Sequence, residues 1–245
     1  ESGKRQAELQ AKQEQLRANL LRAISHDLRT PLTSISGNAG VLMEKSIVLG
    51  EEKKQELYRA IYDDSMWLVN LTENLLSITR IENGTMRLQM EAQLLDEVFQ
   101  EALSHLDRQA AEHRIAVELP DDLLMARIDV RLIVQVIINI VNNAVKYTPA
   151  GSHILLRAEK QGTMVAVSIA DDGPGIPEEA KAHLFDMFYT ASQGKSDNRR
   201  GLGLGLSLCR SIVSAHGGDI TVSDNHPHGA VFTFTLPLEE VDIHV

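Results

Sequence analysis

The chain of 245 residues has a single cysteine, Cys209. That excludes an intrachain disulfide framework and a cysteine-built zinc site, and it suits a reducing cytoplasm. An excess of positive charge is missing too: the net charge is −10, whereas nucleic-acid binders usually show a basic domain or stripe. No nucleic-acid partner is expected. Long apolar runs are also absent. The longest, Leu132 to Val141, is ten residues and includes Gln135 and Asn139, too short to cross a bilayer. No signal peptide, internal repeat or low-complexity segment is visible. Glu1 to Leu16 read as charged helix without a cap, as though cut from something longer. Nothing here senses a stimulus, so any sensor and membrane region is expected outside these residues.

What remains is an ordinary globular composition, 43% hydrophobic and 24% charged. A helix is expected from about residue 5 to 45, with apolar positions 16, 20, 24, 28, 32, 35, 39 and 42 forming one stripe. A turn at Gly50 leads to a second helix ending near Glu82, with its stripe at 57, 61, 68, 71, 75 and 78. A helical hairpin cannot bury both stripes alone, and pairing two into a four-helix bundle predicts a homodimer. Asn83-Gly84 is a turn signal and marks the expected boundary between domains 1–83 and 84–245.

Beyond it the pattern changes. Runs such as Arg87 to Met90 and Ile115 to Leu119 read as strands, with a helix from Leu95 to about His113 between them. A strongly apolar helix follows Asp129 and stops at Tyr147 before Pro149 and Gly151. Strands are expected near 153–160 and 163–170, then a helix near 204–216 and two closing strands. The order suggests an α+β sandwich, one sheet covered by helices.

Four clusters stand out. His26 lies two residues from both Ile24 and Leu28, about 200° round the helix from the stripe, so it points to solvent beside Asp27 and Thr30. Pro31 is expected to bend or loosen the helix just after it. Alone, His26 is one of nine histidines on a solvated face. On the helix ending at Tyr147, Asn139, Asn143, Lys146 and Tyr147 share one edge. That edge would suit magnesium and phosphates, or hydrogen bonds to a neighbouring loop. Asp171-Asp172-Gly173-Pro174-Gly175 follows a strand, where a carboxylate and bare backbone suit adenine's amine, although Asp-Gly is also a common turn. Gly201, Gly203 and Gly205 open a helix and make an anion site. Their GxGxG spacing is neither the dinucleotide fingerprint nor a Walker A loop.

The octet from Ser25 to Leu32 resembles the H-box of the sensor histidine kinases of two-component systems. The later clusters, in this order, resemble the N, G1, F and G2 boxes of their ATP-binding domain, which shares its fold with gyrase, Hsp90 and MutL. The resemblance spans about residues 15 to 238, and the surroundings of Leu16 to Leu21 resemble KdpD-type potassium-sensor kinases. It implies a helical dimerisation and phosphotransfer domain, then an ATP-binding sandwich using ATP and Mg2+. Asn143 would be the magnesium ligand, with Asn139, Lys146 and Tyr147 as nucleotide contacts. Asp171 would read the adenine beside Gly173 and Gly175, and Phe185 and Phe188 match the F box. The loop from about Tyr189 to Arg200 would be a mobile lid, and Gly201, Gly203 and Gly205 would meet the phosphates. Leu202 departs from the hydroxyl residue often found there, and no side-chain contact is carried over at that position.

His26 would take the phosphoryl group and pass it to an aspartate on a response regulator's receiver domain. Asp27 would hold the opposite ring N–H, and Thr30 would orient water for a phosphatase reaction. The chain would be the cytoplasmic portion of a membrane-anchored sensor. The alternatives are a catalytically silent dimeric scaffold, and an ATPase or serine kinase on the same fold. The other histidines, Cys209 and Trp67 read as structural or surface residues.

Overall fold

The computed structural model describes residues 24–25, 28–44, 48–106, 108–190 and 203–240. His26, Asp27, Gly201 and Leu202 lie outside the described residues, as do the start of the first expected helix and most of the expected lid. The chain divides into two compact units between Glu73 and Asn74.

In the first unit, residues 28–43 form helix α1, and Ile24 and Ser25 are helical as well. Pro31 sits inside this helix and residues on both sides of it stay helical, so the expected interruption is not a break. Helix α2 covers Glu51–Glu82 and so continues past Glu73 into the second unit, with Glu51 and Glu52 in its first turn and Arg80 in its last, the charge order that suits the helix dipole. Of its expected stripe, Leu57, Leu71 and Ile78 are buried. A second apolar face was not anticipated. Tyr58, Tyr62, Met66, Val69 and Leu76 are 41% to 64% exposed.

The second unit is built on a seven-stranded sheet. Its strands are β1 (Glu91–Leu94), β2 (Arg114–Glu118), β3 (Met125–Ile128), β4 (His153–Gln161), β5 (Met164–Asp171), β6 (Ile220–Asp224) and β7 (Ala230–Glu239). The order is β1-β3-β7-β5-β4-β2, with β6 pairing to β7 beside this path. All pairs are antiparallel except β2 with β4. The helices are α3 (Leu95–Ser104), α4 (Val130–Tyr147), the short α5 (Glu178–Lys181) and α6 (Gly205–Ala215). Helix α4 packs against α3 and α6, and α6 packs against β6 and β7.

Alternation, broken in β5 only by the small Ala166, places most of the core on one face of the sheet. Ile154, Leu156 and Ala158 of β4 are buried, as are Val165, Val167 and Ile169 of β5 and Phe232, Phe234 and Leu236 of β7. The register sets these side by side: Leu156 opposite Ile169, and Ile169 opposite Phe232. Asp171 is the next position of β5 on that buried face.

Three sequence expectations are corrected. Residues 87–90 are not a strand, because the amide of Gln89 bonds to the Asp129 carboxylate (3.0 Å) and not to a ladder. Pairing begins at Glu91 against Ile128. The helix from Leu95 stops at Ser104, where the Ser104 hydroxyl (2.7 Å) and the His105 ring (2.8 Å) both bond the Glu101 carbonyl. The His105 amide turns to Ala102 instead, and a 3-10 helix follows at Arg108–Glu112. Strand β3 was not anticipated, since only Ala126 and Ile128 mark its buried side.

Candidate active site

Helix α4 is apolar on most of its circumference, and nine of its residues are buried hydrophobics. Asn139, Asn143 and Lys146 lie at its partly exposed edge, and Tyr147 is 48% exposed. The Lys146 ammonium sits 4.9 Å from the centroid of the Tyr147 ring. Asn139 Nδ2 is buried without a hydrogen-bond partner, and the Cys209 thiol near it is only a weak acceptor. Such a donor is costly unless something outside the chain pairs with it. The Asn143 side chain makes no hydrogen bond among the described residues. A free amide donor beside a free carboxamide oxygen fits phosphate oxygens and a hard cation.

Helix α6 runs antiparallel to α4. Asn139 Cγ lies 3.9 Å from where a Cβ of Gly205 would be, and Cys209 Sγ lies 3.8 Å from the Val136 carbonyl. Complete burial pushes the Cys209 thiol up to about 12, so it is core and unreactive.

Asp171 closes the other side. Its Oδ1 accepts from the amides of Gly173 (2.9 Å) and Ala230 (3.3 Å), while Oδ2 has no partner among the described residues. Burial raises its pKa above the ordinary 3.8, and the two amide bonds oppose that shift. A Cβ on Gly173 would stand 2.5 Å from Thr148 Cγ2, just past the end of α4. Glycine is therefore required for this close approach.

Sequence reasoning missed the bracing of this loop by the β6–β7 turn. Asn225 donates to the Asp171 carbonyl (2.7 Å), His228 donates from Nδ1 to the Gly173 carbonyl (3.2 Å), and Gly229 abuts the Asp171 carbonyl. The only signal was the turn-rich run Asp224-Asn225-His226-Pro227-His228-Gly229. Asp172, next in the loop, holds His153 through its amide (2.9 Å) and Nδ1 (3.0 Å).

At the start of the expected lid, Phe188 has φ +64 and its amide bonds the Gly203 carbonyl (3.2 Å). Gly203 has φ +65, and a Cβ there would meet the Tyr189 backbone. Both conformation and space demand glycine, so Gly203→Ala should lower nucleotide affinity about tenfold or more, given ~1–3 kcal/mol of backbone strain. Calorimetric titration of the variant would read this, and unchanged affinity would contradict it. Gly205, by contrast, has room for a Cβ. Phe185 is buried edge-on against Phe232. Thr30 is exposed on α1.

Two family models match the chain. Residues 128–240 match the histidine kinase-, DNA gyrase B- and HSP90-like ATPase model, and residues 16–84 match the His Kinase A phospho-acceptor domain. The solved catalytic domain of histidine kinase ThkA is 33% identical, with a TM-score of 0.54, covering 61% of this chain and 95% of that one. The chain belongs to the sensor histidine kinase family. Histidine kinase ThkA solved in complex with response regulator protein TrrA aligns at a TM-score of 0.70 and 29% identity, over 90% of this chain and 61% of that one. The Sensor protein KdpD of Clostridium acetobutylicum is 42% identical over 95% of this chain and 26% of its own length. The chain therefore spans about a quarter of that curated relative, and the likeness supports the KdpD-type subgroup. The ATPase-like match contains Asn139, Asn143, Asp171 and Gly203, and the phospho-acceptor match contains His26, Asp27 and Thr30. Among the described residues no helix is long and apolar enough to cross a membrane.

Proposed function

We propose that this kinase transfers the γ-phosphoryl group of ATP to a ring nitrogen of its own His26, then to an aspartate on a response regulator's receiver domain. The observation that carries this reading is that α4 meets both glycine segments at once: Asn139 against Gly205, and Thr148 against Gly173. On this reading Asp171 accepts from adenine's amine, Gly173 and Gly175 lie beside it, and Asn139, Lys146 and Tyr147 contact the nucleotide. Phe188 contacts the nucleotide as well, and Gly201, Gly203 and Gly205 approach the phosphates. Asn143 would hold magnesium, which neutralises phosphate charge when bound.

The chain's own work is acceptance of the group. A neutral imidazole has a free lone pair on one ring nitrogen, and that is the form in which His26 would accept the group. The N–P bond forms as the bond from γ-phosphorus to the bridging oxygen breaks, and ADP leaves with that electron pair. Asp27 accepts from the opposite ring N–H and stabilises the positive ring. Thr30, one turn on, orients water when the kinase acts as a phosphatase on its regulator.

The exposed α2 face supports a homodimer: Tyr62, Val69 and Leu76 recur every seven residues, the spacing of a helix-bundle seam. The division between phospho-acceptor and catalytic domains is placed at 1–83 and 84–245. Gly84 supports it with a turn, φ +62, its amide bonding Ile81. The same reading makes the chain the cytoplasmic portion of a membrane-anchored sensor.

Incubation with magnesium and γ-labelled ATP tests the reaction class. Label that survives alkali and vanishes in acid is expected. Acid-stable label would favour a serine kinase, and bound nucleotide without label would favour a scaffold.

A further inference from the structure

A side chain of α6 is hydrogen-bonded to the backbone of α4 at the end of the helix pair far from the candidate site. The backbone N–H of Asp129, the residue that opens α4, donates to His216 Nε2 at 3.0 Å. His216 closes α6, and its Nδ1–H donates to the Ile212 carbonyl at 2.8 Å. Nε2 accepts and Nδ1 donates, so the ring is neutral, and burial holds its pKa below the ordinary 6.5. His216 is 3% exposed and Asp129 2%, so neither can touch a substrate directly. The Asp129 carboxylate accepts the Gln89 amide at 3.0 Å, tying the segment after α2 to the same junction.

From this pin the antiparallel helices run to the site through Cys209 beside Val136 and Gly205 beside Asn139. A helix rises about 1.5 Å per residue, so a slip of one residue would shift Gly203 and Gly205 by about that much against Asn139 and Asn143. Misplacement by about 1 Å can cost about a hundredfold in rate. An apolar residue could fill the space of His216, but it would leave the Asp129 N–H buried and unpaired.

We propose that His216 is a positioning residue, holding α6 in register on α4 so that the glycines of its N-terminus meet the phosphates beside Asn139 and Asn143. This rests on the reading of those residues as the phosphate end of the nucleotide site. The prediction is a split between the two ends of the nucleotide, since Asp171 stands on the sheet and not on α6.

The test uses the full chain with His216→Phe, His216→Asn and His216→Gln. Phenylalanine removes both bonds, asparagine can keep the one to Ile212 but cannot reach Asp129, and glutamine can offer Asp129 an acceptor. MgATP affinity is measured by calorimetry, adenosine affinity by NMR titration, and folding by thermal melting. His216→Phe and His216→Asn should bind MgATP about tenfold or more weakly, with adenosine affinity unchanged and His216→Gln close to wild type. If His216→Phe fails to fold, His216→Asn decides. Equal loss of MgATP and adenosine binding, or normal MgATP binding in a folded His216→Asn, would overturn the proposal. Failure of the wild-type chain to bind MgATP would instead overturn the nucleotide-site reading beneath it.

Discussion

Replacing Asp171 with asparagine should weaken ATP binding about ten- to a hundredfold, the worth of a hydrogen bond to a charged group, yet leave the fold at least as stable. The stability half follows from the direction of the pKa shift. Burial raises the carboxyl above its ordinary 3.8, so the folded chain holds this proton more tightly than the unfolded chain. The stability linked to that proton is present below 3.8 and is lost as pH rises through the folded value. At neutral pH the ionised group works against folding. Asparagine removes that charge, and its Oδ1 can still accept from the amides of Gly173 and Ala230. It cannot offer adenine's exocyclic amine a charged acceptor, and its own amide group would confront a second donor. Thermal melts at pH 7 and calorimetric titration with ATP separate the two effects. Unchanged ATP affinity would remove Asp171 as the adenine reader, and a large fall in melting temperature would show that the carboxylate is needed structurally.

Replacing Asn143 with alanine should cut autophosphorylation about 10²–10³-fold, the scale for losing one preorganised electrostatic contact. Asn143 sits on the partly exposed edge of α4, and its side chain has no hydrogen bond among the described residues. Its loss therefore breaks no protein contact that holds the fold, and alanine is the best helix former. The effect should fall on magnesium: the variant should need a higher magnesium concentration for half-maximal rate, with adenosine affinity unchanged. A rate within threefold of the parent at every magnesium concentration would show that this carboxamide holds no metal.

Much of this site is legible from periodicity. The polar edge of α4 is visible because Asn139, Asn143, Lys146 and Tyr147 interrupt an otherwise apolar helix at three- and four-residue steps. Asp171 is legible as the end of a strand, but its burial is not. That depends on register, which sets it opposite Ile154 on the core face, and on Ala230 arriving from a strand distant in sequence. His216 reads only as a structural or surface residue, because neither its spacing nor its neighbours announce that Asp129 donates to it from another helix. The missed ends of α3 and β1 have the same origin: side chains of His105 and Asp129 took the backbone groups that the regular elements would have used. The glycines stand out as a run, yet only the fold distinguishes Gly203, where conformation and space demand glycine, from Gly205, which has room. On α2 the expected stripe hid a second one, because Tyr58 and Tyr62 are amphipathic and fit either a solvated face or a seam.

The central claim is that His26 is the acceptor, and the most direct measurement is label incorporation from γ-labelled ATP with magnesium by the wild-type chain and by His26→Gln. The account predicts acid-labile, alkali-stable label on the wild type and none on the variant, with both binding nucleotide equally. Label on His26→Gln at the wild-type level would contradict it.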